Sequence, residues 1–129
     1  MVTKNITIYY YFKDYICLIS TLDMTENKNP SDQDGETPLH FAAKNGHLSV
    51  CELITDKVEL KNPPNRSRTT PFHLAAANGH LAICQLFIDL IFDKNPPNQE
   101  NETPLHLAAV NGHLSICELI INIMDSRNR

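Results

Sequence analysis

The sequence has no apolar run approaching the ~20 residues that a membrane-spanning helix needs. It also has no excess of positive charge: 11 Lys and Arg stand against 15 Asp and Glu, a net charge of −4. The first absence argues against membrane insertion. The second argues against nucleic-acid binding, which needs a concentrated basic face to neutralise phosphates. Glycine is scarce, four in 129 residues, and no glycine-rich loop is there to cradle a phosphate. No Ser-His-Asp grouping has local support. The N-terminus is apolar and aromatic from Ile6 to Phe12, but Lys13 and Asp14 interrupt it and no small-residue cleavage site follows, which argues against a signal peptide. What remains is the balance of a soluble globular chain, 42% hydrophobic and 20% charged. It is expected to be intracellular, in the cytoplasm or, alternatively, the nucleus.

Against these absences stands an internal period. TPLHFAAKNGHL begins at Thr37, TPFHLAAANGHL at Thr70 and TPLHLAAVNGHL at Thr103, two steps of 33 residues. The same step links Lys28-Asn29-Pro30 to Lys61-Asn62-Pro63 and Lys94-Asn95-Pro96, and Cys51 to Cys84 to Cys117. Cutting at the Lys-Asn-Pro marks gives three units, 28–60, 61–93 and 94–126, without a gap. Fourteen columns are the same in all three, far beyond chance, so the chain is a repeat array.

Each unit reads alike. Thr37 caps a helix whose first residue is Pro38, where the missing N–H does no harm and φ is already set. Leu39, Ala42 and Ala43 give that helix a narrow apolar face, and Gly46 ends it in the left-handed region. A second helix is expected from about His47, with a broad apolar face from Leu48, Val50, Cys51, Leu53 and Ile54, matched in unit two by Leu81, Ile83, Cys84, Leu86, Phe87 and Ile88. Between units, an Asn-Pro stretch and a polar run (31–36, 64–69 and 97–102) stop the helix and supply an extended turn.

A period of 33 carrying T-P-L-H-x-A-A-x-N-G-H resembles the ankyrin repeat over residues 28–126. The resemblance implies an all-α solenoid of stacked helix-turn-helix units with projecting β-hairpin or turn fingers. It implies a protein-binding scaffold without catalysis, and a T-P-L-H histidine bonded to backbone in the turn and the neighbouring unit. The family's turn glycine is present as Gly35 but is replaced by Arg68 and Asn101. Arg tolerates positive φ poorly, so the second finger is expected to bend or to use another turn. The family's usual stretch after the second helix is replaced by sequences such as Thr55-Asp56-Lys57-Val58-Glu59-Leu60, where the second helix is expected to run longer.

All six histidines fall in two columns: His40, His73, His106 and His47, His80, His113. Equivalent side chains in stacked units lie roughly 8–10 Å apart, too far to share a metal, so the columns are read as structural and neither a catalytic nor a metal site is expected. No cofactor is implied. The same spacing exceeds the ~7 Å Cα limit for a disulfide, and Cys51, Cys84 and Cys117 are read as small buried hydrophobes with free thiols. Asn5-Ile6-Thr7, Asn65-Arg66-Ser67 and Asn101-Glu102-Thr103 match the glycosylation pattern, which is too short to carry weight.

Columns that packing requires repeat, whereas columns that vary point outward. The variable positions are Gln33, Asp34, Glu36 and Lys44 in unit one, Arg66, Ser67, Arg68, Thr69 and Ala77 in unit two, and Gln99, Glu100, Glu102 and Val110 in unit three. In the resembled family these positions line the concave recognition surface. Their charge order, acidic, basic, acidic, suits a partner of opposite pattern. The ends read differently. Residues 1–27 are expected to form a partial repeat or cap, since Tyr15-Ile16-Cys17-Leu18-Ile19 resembles Ser49-Val50-Cys51-Glu52-Leu53, and 127–129 a tail. Unit three ends in Leu119-Ile120-Ile121-Asn122-Ile123-Met124 without the polar outer face of a terminal repeat, so further repeats beyond it, or self-association there, are expected. The leading function is thus a module binding an unidentified protein; the alternative is a structural spacer within a longer array.

Overall fold

The structure, a computed structural model, describes residues 31–127, the last by its backbone alone. The expected partial repeat in 1–27, its Cys17, and the first Lys-Asn-Pro mark lie outside the described residues. Six helices follow in three pairs: α1 Pro38–Lys44 with α2 Leu48–Lys57, α3 Pro71–Ala77 with α4 Leu81–Leu90, and α5 Pro104–Val110 with α6 Leu114–Arg127. The first helices α1, α3 and α5 stack in one row, and α2, α4 and α6 form a second row behind them with fewer contacts between neighbours. The tight row is the one built on paired alanines. Ala42, Ala43, Ala75 and Ala76 are fully buried, and a methyl is the largest side chain that such an approach admits.

Seven-residue helices cannot hold themselves in water, so their ends are heavily capped. Thr37 is extended at φ −116°, and its hydroxyl accepts the His40 N–H at 3.3 Å. The box closes the other way through histidine: Nδ1 of His40 accepts the Thr37 N–H at 3.1 Å. A carboxylate or amide normally does this work. Thr70 with His73 and Thr103 with His106 repeat the arrangement. At the other end Gly46 takes φ +80°, and the His47 N–H reaches back to the Ala42 carbonyl at 3.0 Å, which satisfies one of the orphan carbonyls and turns the chain into α2. Asn45 adds a side-chain bond from Nδ2 to the Phe41 carbonyl, 2.8 Å.

The second helices bury one broad face: Cys51 and Ile54 in α2, Ile83, Cys84, Phe87 and Ile88 in α4, Ile116 and Ile120 in α6. The rings of Phe72 and Phe87 lie 6.1 Å apart at a 31° tilt, joining α3 to α4. Thr55 sits in the column that holds Ile88, and its hydroxyl donates to the Cys51 carbonyl at 2.8 Å, which makes its burial tolerable. Helix α2 runs through Thr55, Asp56 and Lys57 and stops at Val58, whose ψ is extended.

The Lys-Asn-Pro marks are joints. Lys61 Nζ donates to the carbonyls of Thr55 and Val58, and Lys94 Nζ to those of Ile88 and Ile91, so an ammonium closes the negative end of each second helix. The next residue serves the next helix. Asn62 Oδ1 accepts the Phe72 N–H at 3.0 Å and Asn95 Oδ1 the Leu105 N–H at 3.1 Å. Each takes an orphan donor in the first turn of the following first helix.

Candidate functional site

The polar runs between units form a row of three turns, and no residue of them is in a strand. Each is closed by an Asp or Asn at its base. Asp32 Oδ1 accepts the N–H groups of Asp34 and Glu36, Asn65 Oδ1 those of Ser67 and Thr69, and Asn98 Oδ1 those of Glu100 and Glu102, all at 2.9 Å. A backbone bond then ties each turn to the next: Arg66 N–H to the Asp34 carbonyl at 3.0 Å and Gln99 N–H to the Ser67 carbonyl at 2.8 Å. These Asx turns hold the fingertips in a fixed register.

The second finger keeps the turn of the first, contrary to the expectation drawn from its arginine. Arg68 takes φ +63° and Asn101 +62°, beside +78° for Gly35. The Arg68 N–H bonds the Asn65 carbonyl at 2.9 Å, as the Gly35 N–H bonds that of Asp32 at 3.0 Å. A left-handed L-residue costs about 1–2 kcal/mol. The two side-chain bonds from Asn65 and the tie to the neighbouring turn outweigh that cost, so the turn overrides the preference of the residue in it.

The histidine columns couple the turns to the helices. His40 Nε2 donates to the Thr69 carbonyl at 3.0 Å and His73 Nε2 to the Glu102 carbonyl at 2.9 Å. In both rings Nδ1 accepts from the N-cap threonine. The tautomer with hydrogen on Nε2 therefore satisfies both nitrogens, and each ring joins its own helix cap to the base of the next finger. Burial pushes the pKa of both below the ordinary value of 6.5, against the backbone carbonyls that favour the charged ring. Glu36 Oε2 lies 3.8 Å from His40 Nδ1, buried and without a hydrogen bond among the described residues; for His40 desolvation still outweighs it. The second column works at the other end of the first helices. His80 Nε2 donates to the Lys44 carbonyl at 2.9 Å and His113 Nε2 to that of Ala77 at 3.1 Å.

Of the variable positions, Gln33, Asp34, Lys44, Arg66, Ser67, Arg68, Gln99, Glu100 and Val110 are exposed. The others are half-buried and already engaged. Glu36 Oε1 accepts from Asn65 Nδ2 and Glu102 Oε1 from Asn98 Nδ2, both at 3.1 Å. Thr69 gives its carbonyl to His40, and Ala77 its carbonyl to His113. Asp34, Glu36, Arg66, Arg68, Glu100 and Glu102 share one fingertip row, whereas Lys44, Ala77 and Val110 sit at the far ends of the first helices. Variation alone did not separate the two kinds of position, because a side chain that bonds its own turn varies with that turn.

Sequence reasoning missed a groove of about 430 Å³ on the side of the joints, lined by Leu60, Leu90, Phe92, Pro64, Pro97 and Arg68. Phe92 is 86% exposed and Leu60 63%. The available signal was the apolar residues Val58, Leu60, Ile91 and Phe92 just past the second helices, ahead of the polar runs.

Comparison with known protein families agrees with this geometry. Comparison with curated proteins finds no match. The family described as ankyrin repeats (3 copies) matches residues 9–95 and, overlapping, 56–128. Helix pairs at a step of 33 residues, threonine–histidine caps and laterally tied turns lie within those matches. The chain belongs to the ankyrin-repeat family.

Proposed function

We propose that the chain is a non-catalytic module that binds another protein through its fingertips and the exposed ends of its first helices. Ankyrin repeats in general serve protein–protein interaction. The observation that carries the reading here is the fingertip row, whose backbone is already fixed by Asx turns and lateral bonds. A partner meeting it has little ordering entropy to overcome, the usual route by which a modest surface becomes a specific one. Asp34, Arg66, Arg68 and Glu100 are exposed and make no ion pair among the described residues. Their alternating sign selects a partner with the opposite alternation and repels a uniform one. Three units offer a surface able to supply the ~800 Å² per partner of a standard interface. Free, buried thiols at Cys51 and Cys84 suit a reducing compartment, so we place the module inside the cell.

Affinity capture with two baits tests this: the chain itself and a variant carrying Arg66→Glu, Arg68→Glu and Glu100→Arg, with equal thermal midpoints confirmed beforehand. Glu102 is left alone because its carboxylate serves Asn98. A protein captured by the first bait and lost with the second is the expected result. Identical capture by both sinks the fingertip reading. A second reading, a spacer within a longer array, is favoured by the bare outer face of unit three, and it predicts that parent-protein interactions survive the charge reversals.

A further inference from the structure

The groove beside the joints gathers three of the seven large apolar side chains that stand exposed among the described residues: Leu60 at 63%, Leu90 at 41% and Phe92 at 86%. Two successive joints supply its walls, Leu60 and Pro64 from the first, Phe92 and Pro97 from the second. Proline has a fixed φ and no N–H, so these walls are stiff and add no donor. At about 430 Å³ the groove falls in the ~300–1,000 Å³ range of ligand clefts.

Most polar groups that line it are already used. The Lys61 ammonium closes α2 on the carbonyls of Thr55 and Val58, and Asn62 Oδ1 holds the Phe72 N–H. The Thr70 hydroxyl caps α3, and Asp93 Oδ1 accepts the Asn95 N–H at 3.1 Å. Two charged side chains of opposite sign are left, Glu59 and Arg68, with no hydrogen bond or ion pair among the described residues. The backbone of Arg68 is pinned in its turn at φ +63°, which fixes where that long side chain starts. The backbone groups of Glu59 and Leu60 also make no hydrogen bond among the described residues.

We propose that this groove takes a short extended segment of a partner protein, one with two apolar side chains between an acidic and a basic residue. The apolar pair packs on Leu60, Phe92 and the prolines. The acidic group pairs with Arg68, the basic group with Glu59, and the segment's main chain meets the open backbone of Glu59 and Leu60. Area argues for a segment over a folded partner or a second copy of the chain. A covered aromatic contributes about 150–250 Å², and two partly exposed leucines leave the patch well short of the ~800 Å² per partner of a standard interface. The charges argue against a plain apolar ligand, which leaves two opposite charges desolvated and unpaired. The groove shares only Arg68 with the fingertip row, so either assignment can fail without the other.

The test selects a random heptapeptide phage library on the full chain. Enriched peptides are then made with a fluorescein label, and their binding is read by polarisation. Variants are first checked for equal thermal midpoints. The expected peptides carry two apolar residues flanked by one acidic and one basic residue. Phe92→Ala is expected to weaken them at least about tenfold, and Leu60→Ser likewise. Arg68→Glu is expected to weaken them as much, and replacing the peptide's acidic residue by lysine should restore binding to that variant alone. Arg66→Glu with Glu100→Arg, outside the groove, should leave binding unchanged. No enrichment, or peptides that bind Phe92→Ala as well as the wild type, overturns the proposal. Loss of binding with the Arg66 and Glu100 pair alone moves the peptide to the fingertips and overturns it too. Self-association in sedimentation that Phe92→Ala abolishes assigns the groove to a second copy and overturns the proposed occupant.

Discussion

His40 and His73 each do with one ring what a globular protein usually assigns to several side chains. Nδ1 closes the cap of its own helix and Nε2 holds the finger of the next unit. The consequence for pH follows from the sign of the shift. Burial lowers their pKa in the folded state below the ordinary 6.5, so on acidification the unfolded chain takes up protons first. The contribution is complete above about pH 6.5 and is lost as pH falls from there toward the folded-state values. Urea midpoints are expected to drop between pH 7.5 and 5.5, with a shallower drop in His73→Ala. That variant should also lose about 2–4 kcal/mol at pH 7.5, because the Glu102 carbonyl and Thr70 N–H are left unpaired. An equally steep drop in the variant would place the titration elsewhere. The left-handed position of the fingers gives a second prediction at this scale. A Cβ on Gly35 would lie 3.0 Å from Asn65 Cα and Arg66 N, so Gly35→Ala is expected to cost more than about 1–2 kcal/mol, crowding added to backbone strain. Arg68→Gly, which relieves strain but frees the unfolded chain, should stay within about 1 kcal/mol of the wild type. Chemical denaturation of the two variants decides whether the turns differ as stated.

At the scale of elements, the short helices exist because their ends are fastened. Threonine, proline and glycine fasten them within the unit, and these were readable from the motif, since capping depends only on residues three or four apart; the asparagine bond to the helix end came from the structure. The joints were less readable. Lys-Asn-Pro looked like a helix stop, but α2 and α4 end at Lys57 and Leu90, well before Pro63 and Pro96, and it is lysine and asparagine that act across the joint. Lys61 closes α2 while Asn62 opens α3 ten residues on. Asn62→Ala and Asn95→Ala are each expected to cost about 1–2 kcal/mol by orphaning a half-buried first-turn N–H. Alanine at Glu59, an exposed position, should cost under about 0.5 kcal/mol. Equal effects at all three positions, measured by thermal unfolding, would show that the joint is not held as described. The Asp32, Asn65 and Asn98 column is hidden in the sequence for a related reason: two residue types fill it, yet either side chain offers the same Oδ1 to the turn.

Over the whole molecule, coverage rather than chemistry distinguishes the three equivalent thiols. Cys51 and Cys84 are fully buried, and burial pushes both up to about 12. For Cys51 the Glu52 carboxylate pushes the same way. Cys117, in the same column, is half-exposed. Since the thiolate is the reactive form, iodoacetamide at pH 8 should label Cys117 first. Cys51 and Cys84 should follow only at the rate at which the array opens, so that mild urea speeds them and leaves Cys117 nearly unchanged. Site-resolved mass spectrometry reads this directly, and uniform labelling would contradict the stacking described.

The sequence alone determined the array: the period, the helix pairs, the family and the left-handed glycines. Each of these rests on contacts between residues close in the chain, repeated at a fixed step. It also pointed to the outward columns. The tertiary structure decided which outward residues are free and which are bonded into their own turns. It decided that an arginine accepts a backbone conformation it disfavours, and that an apolar groove runs beside the joints. All of these depend on what the neighbouring unit places opposite a residue, 29 to 36 positions away in the chain, and a column of identical letters does not say whether its partner is there.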